Sequence, residues 1–344
     1  MPPFDPQGRA SAPLSPPLIA ARACPMSFSA HSSGPFLRHE STPMTRNQAS
    51  GLALLAALAW GAGNVSQKTI LAHLDGYAAT GITSLVGAMV LLPLALREAK
   101  ATLPSARGSL PLLLAVSVLF TFASTVMQFG YGLTTVTNAG FLVNTAAVLT
   151  PILAWACLSQ RPPLAIWPAC LFALIGIFLM AGASWSGLSP GDLLALVSAV
   201  GFAVWTLAVG IYVMRYRRPI LMTFVQLAVC GVLCTSLGAA FHGVPAPSAL
   251  AAALPEILFM GLVSKGLAYV LMAVAQQHIS ATCVAMLVSA EAVFGALIAA
   301  KVLGETLGPL RGIGSLCIIL GVIIVARIPA AVPDTALSTQ TRQP

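Results

Sequence analysis

The chain has 344 residues, of which 58% are hydrophobic and only 8% are charged, and its formal net charge is +8 at pH 7. Its mean hydropathy is +0.90. Charged residues make up about a quarter of a typical soluble domain, so this composition excludes a soluble globular protein. It predicts an integral membrane protein instead.

Residues 1–48 differ in composition from the remainder of the chain. Prolines recur from Pro2 to Pro43 among small and polar residues, and proline prevents helix propagation. We therefore predict a disordered tail rather than a domain. The apolar run near the N-terminus is short and is interrupted by Arg22, so no signal peptide is predicted. Met44 directly precedes the first apolar segment and is an alternative start of the protein.

Ten apolar segments follow. Each is long enough to cross the hydrocarbon core of a membrane as a helix, which takes about 20 residues. They cover approximately 50–70, 77–96, 109–129, 136–158, 164–183, 191–213, 219–241, 255–276, 280–301 and 309–327. The loops between them are short and leave no room for a soluble catalytic domain. The sequence therefore predicts an all-α polytopic membrane protein with ten transmembrane helices.

The fourth and ninth segments indicate an internal duplication. Residues 137–160 align without a gap with residues 282–305, and identical residues recur through the alignment. Each half then contains five spans, and an odd number of spans places the two halves in opposite orientations. We predict two inverted five-helix repeats, residues 49–185 and 186–328, followed by a second disordered tail over 329–344. Inverted repeats are the usual scaffold of alternating-access transport.

Three short motifs accompany the repeat: Ala56-Ala-Leu-Ala-Trp-Gly61 in helix 1, Thr150-Pro151 in helix 4, and Leu303-Gly-Glu305-Thr-Leu after helix 9. With the ten-segment pattern, they resemble the EamA-type transporters of the drug/metabolite transporter superfamily over nearly the whole membrane region. The resemblance implies a bacterial inner-membrane carrier of a small metabolite. It also implies that helices 1, 3, 4, 6, 8 and 9 surround a central cavity and that helices 5 and 10 are peripheral.

Two positions depart from the family pattern. Gln160 stands where the first repeat of such proteins usually has a glutamate, so a carboxylate is retained only at Glu305. The Glu-Pro pair often found midway along helix 9 is Glu291-Ala292 here.

Because Pro151 in helix 4 is matched by Ala296 in helix 9, a proline kink is predicted in the first repeat alone.

The basic residues predict the orientation of the chain in the membrane. If the N-terminus is cytoplasmic, all 17 Lys and Arg residues except Lys68, Lys265, Lys301 and Arg311 fall on the cytoplasmic side. By the positive-inside rule, both termini are then cytoplasmic in a multi-pass protein of the inner (plasma) membrane. The basic charge is explained by the anionic inner leaflet, and no nucleic-acid partner is predicted.

Two ionisable residues lie near the middle of predicted spans, Lys265 on helix 8 and Glu291 on helix 9. Both are equally far from the turn at His278, so they lie at one depth and could form a buried ion pair between neighbouring helices. Such a pair could serve only to hold the helices in register. Alternatively, Glu291 binds and releases a proton, or Lys265 receives an anionic group of a substrate.

Polar and aromatic stripes complete the set of candidate site residues. Trp60, Asn64 and Lys68 share one face of helix 1, which suits an amphiphilic or amino-acid-like ligand, although such stripes also join helices to each other. The predicted cavity residues are Trp60, Asn64, Lys68, Gln128, Tyr131, Asn138, Asn144, Trp205, Lys265, Tyr269 and Glu291.

No sequence motif indicates an enzyme, a cofactor or a metal. The G-x-S-x-G match at Gly187–Gly191 lies between two predicted helices and not after a strand, as a nucleophile elbow requires, and there is no nucleotide-binding or metal-binding motif. We predict a secondary transporter that moves a small organic metabolite, with export the favoured direction, and whose partners are that small-molecule substrate and the lipid bilayer. Proton coupling and a homodimer are left open. A lipid or amphiphile translocase of the same fold is the alternative, and a membrane enzyme is less favoured.

Overall fold

The computed structural model describes residues 44–100, 108–159, 161–180, 189–304 and 308–328. Most of the predicted N-terminal tail, all of the C-terminal tail, Gln160, Glu305 and the first residues of the G-x-S-x-G match lie outside these ranges.

Ten apolar helices follow one another along the described chain, and the described residues contain no strand. The ten are α1 (Arg46–Thr69), α2 (Gly76–Lys100), α3 (Leu110–Leu133), α4 (Val136–Val143 and Ala146–Leu158), α5 (Ile166–Met180), α6 (Pro190–Tyr216), α7 (Pro219–His242), α8 (Leu254–Ala275), α9 (Ala281–Val288 and Glu291–Leu303) and α10 (Pro309–Ala326). Of these described helices, all except the shorter α5 are long and apolar enough to cross a membrane. The prediction of an all-α ten-helix membrane protein is confirmed.

Equivalent helices of the two repeats begin with equivalent caps. Thr45 and Ser189 each form a capping box at the start of α1 and α6, in which the hydroxyl accepts a hydrogen bond from the third residue of the helix. Such caps satisfy backbone N–H groups that a helix cannot pair internally. Ser189 is therefore a helix cap. Thr135 and Ser280, which align in the duplication, likewise cap α4 and α9.

The packing of the helices repeats the symmetry of the sequence. α2 packs along α7, α4 against α9 and α5 along α10. Each of these pairs consists of one helix from the first repeat and the equivalent helix from the second. The packing of α3 on α6 has its counterpart in α8 on α1, and that of α4 on α6 in α9 on α1. The two five-helix repeats are thus related by a pseudo-two-fold axis, and α5 and α10 pair at the periphery.

Both α4 and α9 are interrupted by a two-residue turn at aligned positions, Asn144–Thr145 and Ser289–Ala290. Pro151 lies inside the second part of α4 and not at the break, so the predicted proline kink does not account for these interruptions. Each break contains a hydroxyl that bonds back to the preceding turn. Thr145 Oγ1 donates to the carbonyl of Leu142 at 2.7 Å and Ser289 Oγ to that of Met286 at 2.7 Å, and such bonds often accompany a bend in a helix.

A close approach of α1 to α9 depends on Gly61. A Cβ atom at this position would lie 2.7 Å from Phe294 Cβ and 2.8 Å from the backbone nitrogen of Gly295. Only a residue without a side chain allows the two helices to cross at this distance. The crossing brings the middle of α1 beside the first turn of the second part of α9.

Candidate functional site

A cavity of about 100 Å³ lies between the two repeats. Its walls come from α1, α3, α4, α6, α8 and α9, with Thr80 added from α2. Both helix breaks border it, through Val143 and Asn144 on α4 and Val288 and Glu291 on α9. The equivalent interruptions of the two repeats therefore meet at one cavity.

All the predicted site residues except Lys68 and Asn138 line this cavity. Lys68 points elsewhere, because its Nζ donates to the carbonyls of Tyr131 at 2.7 Å and Thr134 at 2.9 Å. Carbonyls at the end of a helix lack internal partners and attract a cation. Lys68 thus ties α1 to the end of α3. Asn138 lies in the first turn of α4, where its backbone nitrogen donates to the capping hydroxyl of Thr135 at 3.1 Å.

The predicted ion pair between Lys265 and Glu291 does not form. Lys265 Nζ instead donates to the carbonyl of Thr80 at 3.0 Å and to Ser84 Oγ at 2.9 Å, both on α2. Glu291 Oε1 accepts a hydrogen bond from Asn64 Nδ2 at 2.9 Å. The reason is the helix order, since α1 packs against both α8 and α9. The two charges therefore face one cavity from separate walls.

Lys265 lies in a π-helical stretch of α8, Met260–Leu267. Such stretches displace backbone groups from the regular α-helical pattern and are frequent at functional sites. The carbonyl of Ser264 accepts a hydrogen bond from the indole nitrogen of Trp60 at 2.9 Å. The irregular turn thus places Lys265 against α2 and anchors Trp60 of α1 in the cavity wall.

Tyr269 is the centre of an aromatic wall. Its ring centroid lies 4.9 Å from that of Trp60, 5.5 Å from that of Trp205 and 4.9 Å from that of Phe120. The indole N–H of Trp205 donates to Gln226 Oε1 at 2.9 Å, and that of Trp60 is bound to α8. Both tryptophans therefore offer the cavity aromatic surface rather than a free hydrogen-bond donor, which suits apolar or cationic groups.

Polar cavity residues that sequence reasoning missed are Gln67, Thr80, Ser124, Thr150 and Ser264. Gln67 could have been found, because it lies three residues after Asn64 on the same helix face. The hydroxyl residues gave no signal, since a Ser or Thr side chain often bonds to its own helix whether it faces a cavity or another helix. Among the described residues, no group of His, Cys, Asp and Glu side chains could hold a metal ion.

The ten-helix fold and the cavity between inverted repeats define a polytopic membrane protein with the architecture of a secondary carrier. A sequence profile described as the EamA-like transporter family matches residues 48–182 and 189–327, one match for each repeat. The chain belongs to this family.

Two curated relatives carry matching descriptions. An uncharacterized transporter of Archaeoglobus fulgidus is 29% identical over 205 residues, which cover 59% of this chain and 64% of the relative. The uncharacterized transporter YwfM of Bacillus subtilis is 27% identical over 192 residues, covering 54% of this chain and 63% of the relative. The matched part thus spans less than two thirds of the length of either relative.

A solved crystal structure of another protein has the same fold. It superposes with a TM-score of 0.64 at 17% sequence identity, over 81% of this chain and 96% of that chain.

Proposed function

We propose that this protein is a secondary transporter that moves a small organic metabolite across the membrane by alternating access. The observation that carries the proposal is the meeting of two equivalent helix breaks, in α4 and α9, at one cavity between inverted repeats. Two related packings of such repeats open the site to opposite faces of the membrane. Family membership supports the same function.

The size and chemistry of the cavity support an amino-acid-like or amphiphilic substrate. A buried water requires roughly 10–15 Å³ of such space, so a cavity of about 100 Å³ has room for about seven to ten water-sized groups. Lys265 can receive a carboxylate, Glu291 an amine, and the wall around Tyr269 an apolar side chain. A proton taken up and released by Glu291 would couple transport to the proton gradient.

The proposed location is the inner (plasma) membrane with both termini cytoplasmic, and the proposed direction is export. The support for the orientation is the concentration of Lys and Arg residues on one side of the spans. Lys68, at the opposite end of α1, is bound to backbone carbonyls of α3 rather than left in the lipid. The lipid bilayer and the small-molecule substrate are the proposed partners.

Flux into proteoliposomes tests the proposal together with the role of Lys265. The purified full chain should move one or more neutral amino acids from a mixture, counted by mass spectrometry. Lys265→Met should raise the KM for such a substrate about tenfold, which corresponds to about 1.4 kcal/mol of binding free energy, because the carboxylate of the substrate loses a charged partner. The KM for the corresponding amine without a carboxylate should be unchanged.

Lys301→Met is the control, since Lys301 lies exposed near the end of α9 and does not line the cavity. Flux no faster than in protein-free liposomes would contradict the proposal. Movement of a fluorescent phospholipid analogue without movement of any amino acid would support the lipid translocase instead. An unchanged KM in Lys265→Met would remove the carboxylate subsite.

A further inference from the structure

A chain of amide groups along α1 leads to Glu291. Asn64 Nδ2 donates to Glu291 Oε1 at 2.9 Å, and Gln67 Nε2 donates to Asn64 Oδ1 at 3.3 Å. Gln128 Nε2 of α3 donates to the main-chain carbonyl of Gln67 at 2.8 Å. An asparagine amide has an acceptor on one side and a donor on the other. Because Gln67 occupies the acceptor, the donor of Asn64 is directed at the carboxylate.

The same asparagine fills a slot between the two broken helices. A Cβ atom on Gly140 of α4 would lie 3.4 Å from Asn64 Nδ2, and one on Gly295 of α9 would lie 3.3 Å from it. The side chain is 2% exposed. The absence of side chains at these two glycines therefore gives the amide room to reach Glu291.

The two oxygens of Glu291 have different surroundings. Oε1 is bound by Asn64, whereas Oε2 accepts no hydrogen bond from any described residue and keeps some accessible surface. Glu291 lines the cavity. A carboxylate held by one oxygen in this way keeps the other in a constant position, where a proton or a cationic group can bind it.

We infer that Asn64 and Gln67 are positioning residues for Glu291, which fix one carboxylate oxygen so that the other faces the cavity, and that Gly140 and Gly295 form the slot that admits the amide. The inference rests on the proposed function for its effect on transport. The arrangement itself concerns only the orientation of one carboxylate and can be measured without transport.

Infrared spectroscopy of the purified full chain tests the arrangement directly. The Glu291 band is the carboxyl band that is lost in Glu291→Gln. It should shift in Asn64→Leu, which removes the donor, and shift less in Gln67→Met, which only frees the amide to turn. Lys301→Met should leave the band in place. A Glu291 band with the same frequency in Asn64→Leu as in the wild type would overturn the inference.

A double-mutant cycle of Asn64→Leu and Glu291→Gln, measured by transport, tests whether Asn64 acts through Glu291. In proteoliposomes with the amino-acid mixture and an imposed proton gradient, Asn64→Leu should reduce the stimulation by the gradient about fivefold. In a chain that already carries Glu291→Gln, which has no stimulation left to lose, Asn64→Leu should leave the rate of transport without a gradient unchanged, because it acts through that carboxylate. An equal loss of transport without a gradient in both backgrounds would show a structural role and overturn the inference. No effect of Glu291→Gln in the wild-type background would instead refute proton coupling while leaving the infrared result to decide the positioning.

The glycine slot allows a steric version of the test in which no polar group changes. Gly295→Ala places a methyl group 3.3 Å from Asn64 Nδ2, a contact tight enough that the amide must shift, and should shift the Glu291 infrared band. Gly132→Ala is the control, since its Cβ would meet only Leu71 at 3.7 Å. A band that is unchanged in Gly295→Ala would contradict the assignment of the slot.

Discussion

Replacing Glu291 with Gln is expected to leave the protein inserted and folded but to abolish stimulation of transport by a proton gradient. The Gln oxygen can still accept the hydrogen bond from Asn64, so the packing of α1 on α9 is retained. The amide cannot take up a proton. An ionisable group within a span costs a few kcal/mol on insertion, so the thermal unfolding temperature should be equal to or above that of the wild type.

Glu256→Gln is the matched control for this experiment. Glu256 also lies in a membrane helix and accepts a hydrogen bond, from Thr69 Oγ1 at 3.1 Å, but it does not line the cavity. Its replacement should leave the response to the gradient intact. Full stimulation of transport in Glu291→Gln would refute the coupling role, and loss of stimulation in both variants would show that the effect is not specific to the cavity.

Gly61→Ala is expected to destabilise the protein by about 1–3 kcal/mol, the usual cost of overpacking a close contact. The added Cβ would approach Phe294 Cβ and the backbone of Gly295 to under 3 Å, and a backbone cannot move aside without separating α1 from α9. Denaturant unfolding in detergent micelles measures the change.

Gly51→Ala on the same helix is the control. Nothing lies within 4 Å of a Cβ at Gly51, so this change should be neutral or stabilising by up to about 1 kcal/mol, the difference in helix propensity. Equal stability of the two variants would contradict the close crossing of α1 and α9.

Helix α1 links the parts of the site. Trp60 donates to α8, Asn64 to α9 and Lys68 to the end of α3. Because α8 and α9 belong to the second repeat and α1 to the first, a rearrangement of the two repeats must change the hydrogen bond of Trp60 or that of Asn64. The bond from Lys68 to α3 lies within the first repeat.

The ten spans could be predicted because each is a continuous apolar run, and a bilayer leaves a chain few alternatives to helices. The inverted duplication could also be read from aligned residues. The cavity side chains were largely predictable, since buried polar and aromatic residues in a membrane helix must face protein or water.

Neighbour relations between helices could not be read from the sequence. Lys265 and Glu291 line one cavity, but their equal distance from one turn did not reveal that α1 packs against both of their helices. Lys68 shares a helix face with Asn64, yet its long side chain reaches the carbonyls of α3 instead of the cavity. The break in α9 has no proline. Each break holds one hydroxyl that bonds back to the preceding turn, that of Thr145 in α4 and that of Ser289 in α9. These two residues are not aligned in the duplication, since Ser289 aligns with Asn144, so the alignment did not reveal the break in α9.

Access to the cavity from the two faces of the membrane tests the central claim most directly. A single cysteine replaces Ala147, which lines the cavity beside the break in α4, in a chain whose native cysteines have been removed. A membrane-impermeant maleimide is then added to one face of oriented proteoliposomes or to the other, and Lys301→Cys at a helix end serves as the one-sided control. Alternating access predicts that the cysteine at position 147 is labelled from either face. Labelling from one face alone, with and without the amino-acid mixture and the proton gradient, would contradict the account.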